Sequence, residues 1–157
     1  MKHSLMKLLV CIAIPLLVGG IAGLLTRTGT QAYATMAKPP LSPPAVVFPI
    51  VWTLLYTLMG ISSYLIWTKA DNSDAGAKAK NLYFYQLTVN FLWSVFFFNF
   101  QWYFFSFLWI LLLWGLVLAM IKAFSGISKT AAYINIPYLI WLTFAAYLNL
   151  GVWWLNR

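Results

Sequence analysis

Four uncharged, mostly apolar runs divide the chain, Leu8–Thr26, Pro39–Thr68, Asn81–Ile121 and Thr130–Asn156, each bounded by lysine or arginine. A helix needs ~20 apolar residues to cross a hydrocarbon core about 30 Å thick. The first, second and fourth runs each fit one such helix. The third is about twice that length, and Asn99-Phe100-Gln101 is its one plausible turn. The pattern predicts an all-α integral membrane bundle of five transmembrane helices, over about 5–25, 45–67, 82–99, 102–122 and 131–154, in one domain spanning 1–157. Phe91–Phe100 and Leu108–Trp114 lack the alternation of a membrane β-strand. Helices also satisfy every backbone group internally, which lipid demands.

Three of these helices carry a mixed polar and aromatic stripe. At 3.6 residues per turn, the second aligns Trp52, Tyr56, Met59, Gly60, Ser63 and Trp67. The third aligns Gln86, Asn90, Trp93, Ser94 and Phe97, and the fifth Tyr138, Trp141, Ala145, Leu148, Asn149 and Val152. The opposite faces are almost wholly apolar. Amides are costly against lipid, so the stripes converge on the interior. Two interiors satisfy them: a solid core with Asn90 and Asn149 bonded across helices, or a pocket for a flat, mostly apolar ligand. The first helix adds Gly19-x-x-x-Gly23, a spacing that lets backbones approach, inside the bundle or between protomers. Trp67, Trp102, Trp153 and Trp154 are placed for the interfacial belt.

Composition narrows the class. The chain is 63% hydrophobic and 8% charged, with a mean hydropathy of +0.83. A soluble domain carries roughly 25% charged residues, so soluble enzymes, soluble DNA-binding domains and disordered tails are excluded. The single cysteine, Cys11, excludes a disulfide framework and a cysteine-based zinc site. The net charge of +8 reads as topology rather than nucleic-acid binding. Lys2, Lys7, Lys69, Lys78, Lys80, Lys122 and Lys129 fall on one side of a five-span bundle; Arg27, Lys38 and Arg157 fall on the other. That asymmetry predicts a cytoplasmic N-terminus and an external C-terminus. Residues 5–25 read as a retained helix rather than a cleaved signal, since Gly19-Ile21-Gly23 is no typical cleavage site.

The connection 26–44 is the longest, and it ends Lys38-Pro39-Pro40-Leu41-Ser42-Pro43-Pro44. Its prolines favour stiff, extended backbone. Such a segment is either a lid across the bundle mouth or a spacer between two helices.

The residues Tyr33-x-x-x-x-Lys38-Pro39, Pro43-Pro44 and Phe48-Pro49-x-x-Trp52-Thr53-x-x-Tyr56-x-x-Met59-Gly60-x-x-x-Tyr64-x-x-Trp67 resemble the translocator protein family. That family is also called the tryptophan-rich sensory protein or peripheral benzodiazepine receptor family. Asn90-x-x-Trp93-x-x-x-Phe97-Phe98 and Pro137-Tyr138-Leu139-x-Trp141 through Leu148-Asn149 continue the resemblance, which runs in register from about Tyr33 to Asn156. It implies a five-helix bundle, commonly a homodimer, with a ligand cavity under the first loop, here in a bacterial cell membrane. It implies porphyrins such as protoporphyrin IX as ligands, along with isoquinoline carboxamide and benzodiazepine-type compounds, and no obligatory cofactor. Carried over by position, the cavity residues are Tyr33, Trp52, Asn90, Trp93, Phe97, Trp141, Ala145 and Leu148. The sequence departs from the family at Leu41, where tryptophan is usual, and at Ala45-Val46-Val47, which lacks another. Leu150 and Trp154 stand where the animal sterol motif has its tyrosine and basic residue, so sterol is not an expected ligand.

On this reading Trp52 and Trp141 stack on the porphyrin, and Asn90 bonds a ring nitrogen or carboxylate. Arg27 or Lys38 meets the propionates, or else is an ordinary solvated loop charge. No conventional catalyst and no metal site are expected. His3 is terminal, glutamate is absent, and Asp71 and Asp74 fall in the second loop. A light-driven reaction needs no such base, and Trp52 and Trp141 are the candidate residues for photo-oxidative breakdown of a bound porphyrin. The competing class is a non-catalytic receptor, carrier or regulatory scaffold.

Overall fold

The computed structural model describes residues 1–157 and contains helices and connections only. The helices are α1 (Lys2–Leu25), α2 (Arg27–Tyr33), α3 (Val47–Lys69), α4 (Asp74–Ser94), α5 (Tyr103–Ser125), α6 (Lys129–Ile134) and α7 (Ile136–Leu155). A π-helical turn, Val95–Asn99, extends α4, and α6 leads directly into α7. Five long rods result. They close a ring in which α1 packs on α3, α3 on α6, α6 and α7 on α5, α5 on α4, and α4 back on α1. Four rods (α1, α3, α5 and α6–α7) are long and apolar enough to cross a membrane.

Each rod's packing follows from its sequence. In α5 the side chains of Ile110, Leu113, Val117, Met120 and Phe124 are fully buried. Their spacing of three and four residues makes one seam through the centre of the ring. In α1, Leu5, Leu9, Leu17, Ile21 and Leu24 stay exposed, an apolar face suited to lipid. Its inner face meets α3 at Gly60, where an added Cβ would lie 2.8 Å from the Cys11 carbonyl oxygen. The two backbones therefore touch there.

Three of the predicted boundaries are corrected. The α4 rod begins at Asp74 rather than near 82. Ser73 caps it, accepting the Gly76 N–H at 3.2 Å, and Asp74 favours its first turn. Counting apolar residues passed over this polar start, and its charged turns leave α4 outside the four apolar spans. The predicted helix 131–154 is broken at Asn135. Pro137 has no N–H to offer the preceding turn, and Asn135 Nδ2 instead donates to Ser62 Oγ at 2.6 Å and to the Ala131 carbonyl at 2.9 Å.

The connection 26–44 is the third correction: its first part is helical. Thr26 and Thr30 hydroxyls donate to the carbonyls of Ala22 and Thr26, carrying the α1 path into α2. Gly29 lets α2 settle on the Phe98 backbone, where an added Cβ would lie 2.6 Å from the carbonyl carbon. Lys38 Nζ donates to the carbonyls of Tyr33, Ala34 and Met36 at 3.1–3.2 Å and ends the helix. Only the proline stretch is extended. It is tied to α7: Tyr147 Oη donates to the Pro40 carbonyl at 2.7 Å, and the Asn156 amide bonds both the N–H and the carbonyl of Ala37. Pro39 is buried against Gly151.

Candidate functional site

A cavity of about 650 Å³ lies between α1, α2, α3, the end of α4 and α7, and the proline stretch is not part of its lining. That volume falls within the ~300–1,000 Å³ of small-molecule sites. Trp52 and Trp141 stand on facing helices with ring centroids 6.5 Å apart and planes at 90°. Phe48 bridges Tyr33 of α2 and Trp141 of α7 by edge contacts at 5.3 and 6.0 Å. On the α4 side Trp93 stacks on Phe97 at 5.2 Å. The π-helical turn follows directly, and insertions of this kind re-aim side chains. Trp102 N–H donates to the Phe96 carbonyl as the turn closes, and Gln101 takes φ 56.

Seven of the eight sequence-predicted residues line this one cavity: Tyr33, Trp52, Trp93, Phe97, Trp141, Ala145 and Leu148. Asn90 does not. It lies under the cavity, 1% exposed, inside a closed chain of hydrogen bonds. Tyr56 Oη donates to Asn90 Oδ1 at 3.2 Å, and Asn90 Nδ2 donates to Tyr138 Oη at 2.7 Å. Tyr138 Oη donates to Gln86 Oε1 at 2.7 Å, and Gln86 Nε2 approaches Met59 Sδ at 3.8 Å. Tyr56 itself forms the floor, stacked under Trp52 at 5.4 Å. Both Asn90 amide groups are thereby spent on protein. Lys38 is likewise engaged with the α2 carbonyls and its charge sits 5.0 Å from the Tyr33 ring centre. Of the two candidate cations only Arg27 is on the cavity lining, where it is exposed at the rim.

The polar groups of the wall divide sharply. Trp93 Nε1 donates to Asn149 Oδ1 at 2.9 Å, and Asn149 Nδ2 donates to the Tyr103 carbonyl at 2.7 Å. The Trp141 indole N–H and the Tyr33 hydroxyl are buried and have no hydrogen-bond partner. Burial pushes the Tyr33 phenol above its ordinary pKa, an effect the nearby Ser42 hydroxyl opposes. Buried polar groups are nearly always paired, so two orphans in one wall mark where an occupant would supply acceptors.

Sequence reasoning missed Gly19, Gly20 and Gly23 as cavity residues. Gly19 accommodates the Tyr56 ring, while Gly20 and Gly23 border open space. Their only signal was the glycine spacing itself, which reads equally as helix packing.

The TspO/MBR family model matches residues 11–155. The chain belongs to that family. Among TspO/MBR relatives, the tryptophan-rich protein TspO of Chlorobaculum tepidum is 32% identical over 157 residues, covering 99% of both chains. The tryptophan-rich protein TspO of Archaeoglobus fulgidus is 36% identical over 154 residues, covering 98% of this chain and 99% of its own. The translocator protein of Ovis aries is 37% identical over 130 residues, 82% of this chain and 77% of its own. TspO/MBR membership and the apolar helices together make this an integral membrane protein.

Proposed function

We propose that the protein binds protoporphyrin IX-like tetrapyrroles in the α1–α2–α3–α4–α7 cavity, within a bundle whose fifth span is α4. The carrying observation is the pair of perpendicular tryptophans, Trp52 and Trp141, with the Trp141 N–H unspent. Indole faces stack on flat conjugated rings and their N–H groups donate to acceptors. A tetrapyrrole offers both a broad apolar face and carboxylate oxygens, and Arg27 stands at the rim to meet the latter. Flat aromatic amides of the isoquinoline carboxamide and benzodiazepine type suit the same walls. The basic side of the bundle faces the cytoplasm, and the protein works as a homodimer in a bacterial cell membrane.

The test is a titration of the detergent-solubilised protein with protoporphyrin IX in the dark, read as tryptophan quenching. Saturable quenching that is lost in the Trp52→Ala, Trp141→Ala double variant is the expected result. Unsaturable quenching in the wild type overturns the reading.

A second reading rests on the same two rings. An excited porphyrin held between Trp52 and Trp141 passes its energy to dioxygen. Dioxygen then adds across a methine-bridge double bond, which cleaves to two carbonyls, so both oxygen atoms enter the opened tetrapyrrole and no outside electrons are needed. The tryptophans hold the ring beside the oxygen. Illumination should convert bound porphyrin into a new pigment in the wild type. Identical product formation in Trp52→Phe and Trp141→Phe would sink this reading and leave a binder.

A further inference from the structure

A second groove, of about 340 Å³, lies at the opposite end of the molecule between α1, α3 and α4. Met6, Val10 and Ile14 of α1 and Phe84 of α4 give it apolar walls that remain exposed in the folded chain. Lys7 lines it, and Lys80 sits 5.7 Å from the ring centre of Trp67, another wall residue. No carboxylate lines it. Ser4 and Tyr64 hydrogen-bond across from α1 to α3 at this end. Tyr83, also in the wall, is 2% exposed, and its hydroxyl has no hydrogen-bond partner.

We infer that this groove is a retained site for an anionic phospholipid, one acyl chain lying along Met6, Val10, Ile14 and Phe84. The phosphate meets Lys7 and Lys80, and an ester carbonyl accepts from the Tyr83 hydroxyl. Apolar walls at the level of a cationic helix end match a molecule that is apolar below and negative above. Charge also separates this occupant from a second copy of the chain. A copy carries a net charge of +8 and would bring cations to a cationic groove. A free inorganic anion would leave the apolar walls uncovered. The site is distinct from the tetrapyrrole cavity and does not depend on it.

Native mass spectrometry of the full chain, with dioleoyl phosphatidylglycerol or phosphatidylcholine added at equal concentration, tests the inference. Phosphatidylglycerol should be retained as a single adduct at about fivefold the level of phosphatidylcholine. Lys7→Gln with Lys80→Gln should erase that preference, while Tyr83→Phe should weaken retention of both lipids alike. Cys11, the only cysteine, lines the groove and reports occupancy. Its alkylation by N-ethylmaleimide should slow severalfold with phosphatidylglycerol and not with inorganic phosphate. Equal retention of the two lipids, a preference that survives the double lysine variant, retention unmoved by Tyr83→Phe, or equal protection by inorganic phosphate each overturns the assignment. So does lipid-independent Cys11 cross-linking between two copies.

Discussion

Above the Tyr56–Asn90–Tyr138 chain of hydrogen bonds the three aromatic stripes surround a cavity; directly below it the same stripes are packed core, until Ser63 and Trp67 reach the second groove at the far end. Trp52, Trp93, Phe97, Trp141, Ala145 and Leu148 belong to the upper half. Met59, Gly60, Ser63 and Gln86 belong to the lower, each nearly or fully buried. The α1–α3 contact changes at the same level. At Gly60 the backbones touch, at Gly19 a tyrosine ring fits between the helices, and at Gly20 and Gly23 there is open space. A pocket and a packed core are thus not rival readings of these stripes. One helix supplies both, and the hydrogen-bonded floor is where it switches. The floor pairs its polar groups in one run from Tyr56 through Asn90 and Tyr138 to Gln86, whereas unspent donors stand at the two openings, Trp141 and Tyr33 in the upper wall and Tyr83 in the lower groove.

The sharpest way to break this comparison is at Gly60. A leucine there must displace the α1 backbone at Cys11 and Ile12. Overpacking of this kind costs about 1–3 kcal/mol and often more when backbone must move. Gly60→Leu should give little folded protein, with a broad, early thermal transition by tryptophan fluorescence in detergent. A melting temperature like that of the wild type would show that the lower half is not the rigid part.

Next in size is the floor. Asn90→Leu strands the Tyr56 hydroxyl without an acceptor and removes one donor to Tyr138. Leaving buried polar groups unpaired costs about 1–3 kcal/mol each. The variant should melt several degrees lower, yet its porphyrin half-saturation should move less than about threefold. A larger loss of affinity than of stability would place Asn90 among the binding groups after all.

Two of the three cavity tryptophans sharpen the same contrast within the upper half. Trp93→Phe leaves Asn149 Oδ1 without its donor and should lower stability by about 1–2 kcal/mol. Trp141→Phe removes an N–H that bonds nothing in the protein. Its melting temperature should hold, while porphyrin half-saturation rises about five- to tenfold, the worth of one hydrogen bond at roughly 1–1.4 kcal/mol. Reversed outcomes for the pair would mean that Trp93, not Trp141, addresses the ligand.

Much of this was legible in advance because lipid reduces the grammar to length and stripe. Charge-free runs located the rods, and the stripes located the inward faces of α3, α4 and α7. What was not legible depended on contacts between distant residues. Asn90 and Asn149 look alike in sequence, each an amide one helical turn from a tryptophan, and only the partner helices decide which is floor and which is wall. The fate of Lys38 depended on α2 forming, and α2 has no apolar periodicity to announce it. Its helix rests on Gly29 meeting Phe98 and on three carbonyls finding one ammonium group. The break at Asn135 was present in Pro137 but hidden by the length of the apolar run around it.

The smallest expected effect falls at Gly23, which shares a helix face with Gly19 and borders the cavity. A Cβ there meets nothing within 4 Å. Valine is slightly better than glycine in a helix interior, by a few tenths of a kcal/mol, so Gly23→Val should leave the monomer's melting temperature within about a degree. The informative quantity is then the assembly state by light scattering. If a homodimer forms and packs through this face, the added side chain meets the partner and shifts the population toward monomer without unfolding it. If the dimer survives, the spacing Gly19-x-x-x-Gly23 serves the cavity alone: Gly19 for the Tyr56 ring, and Gly23 to keep the upper gap between α1 and α3 open.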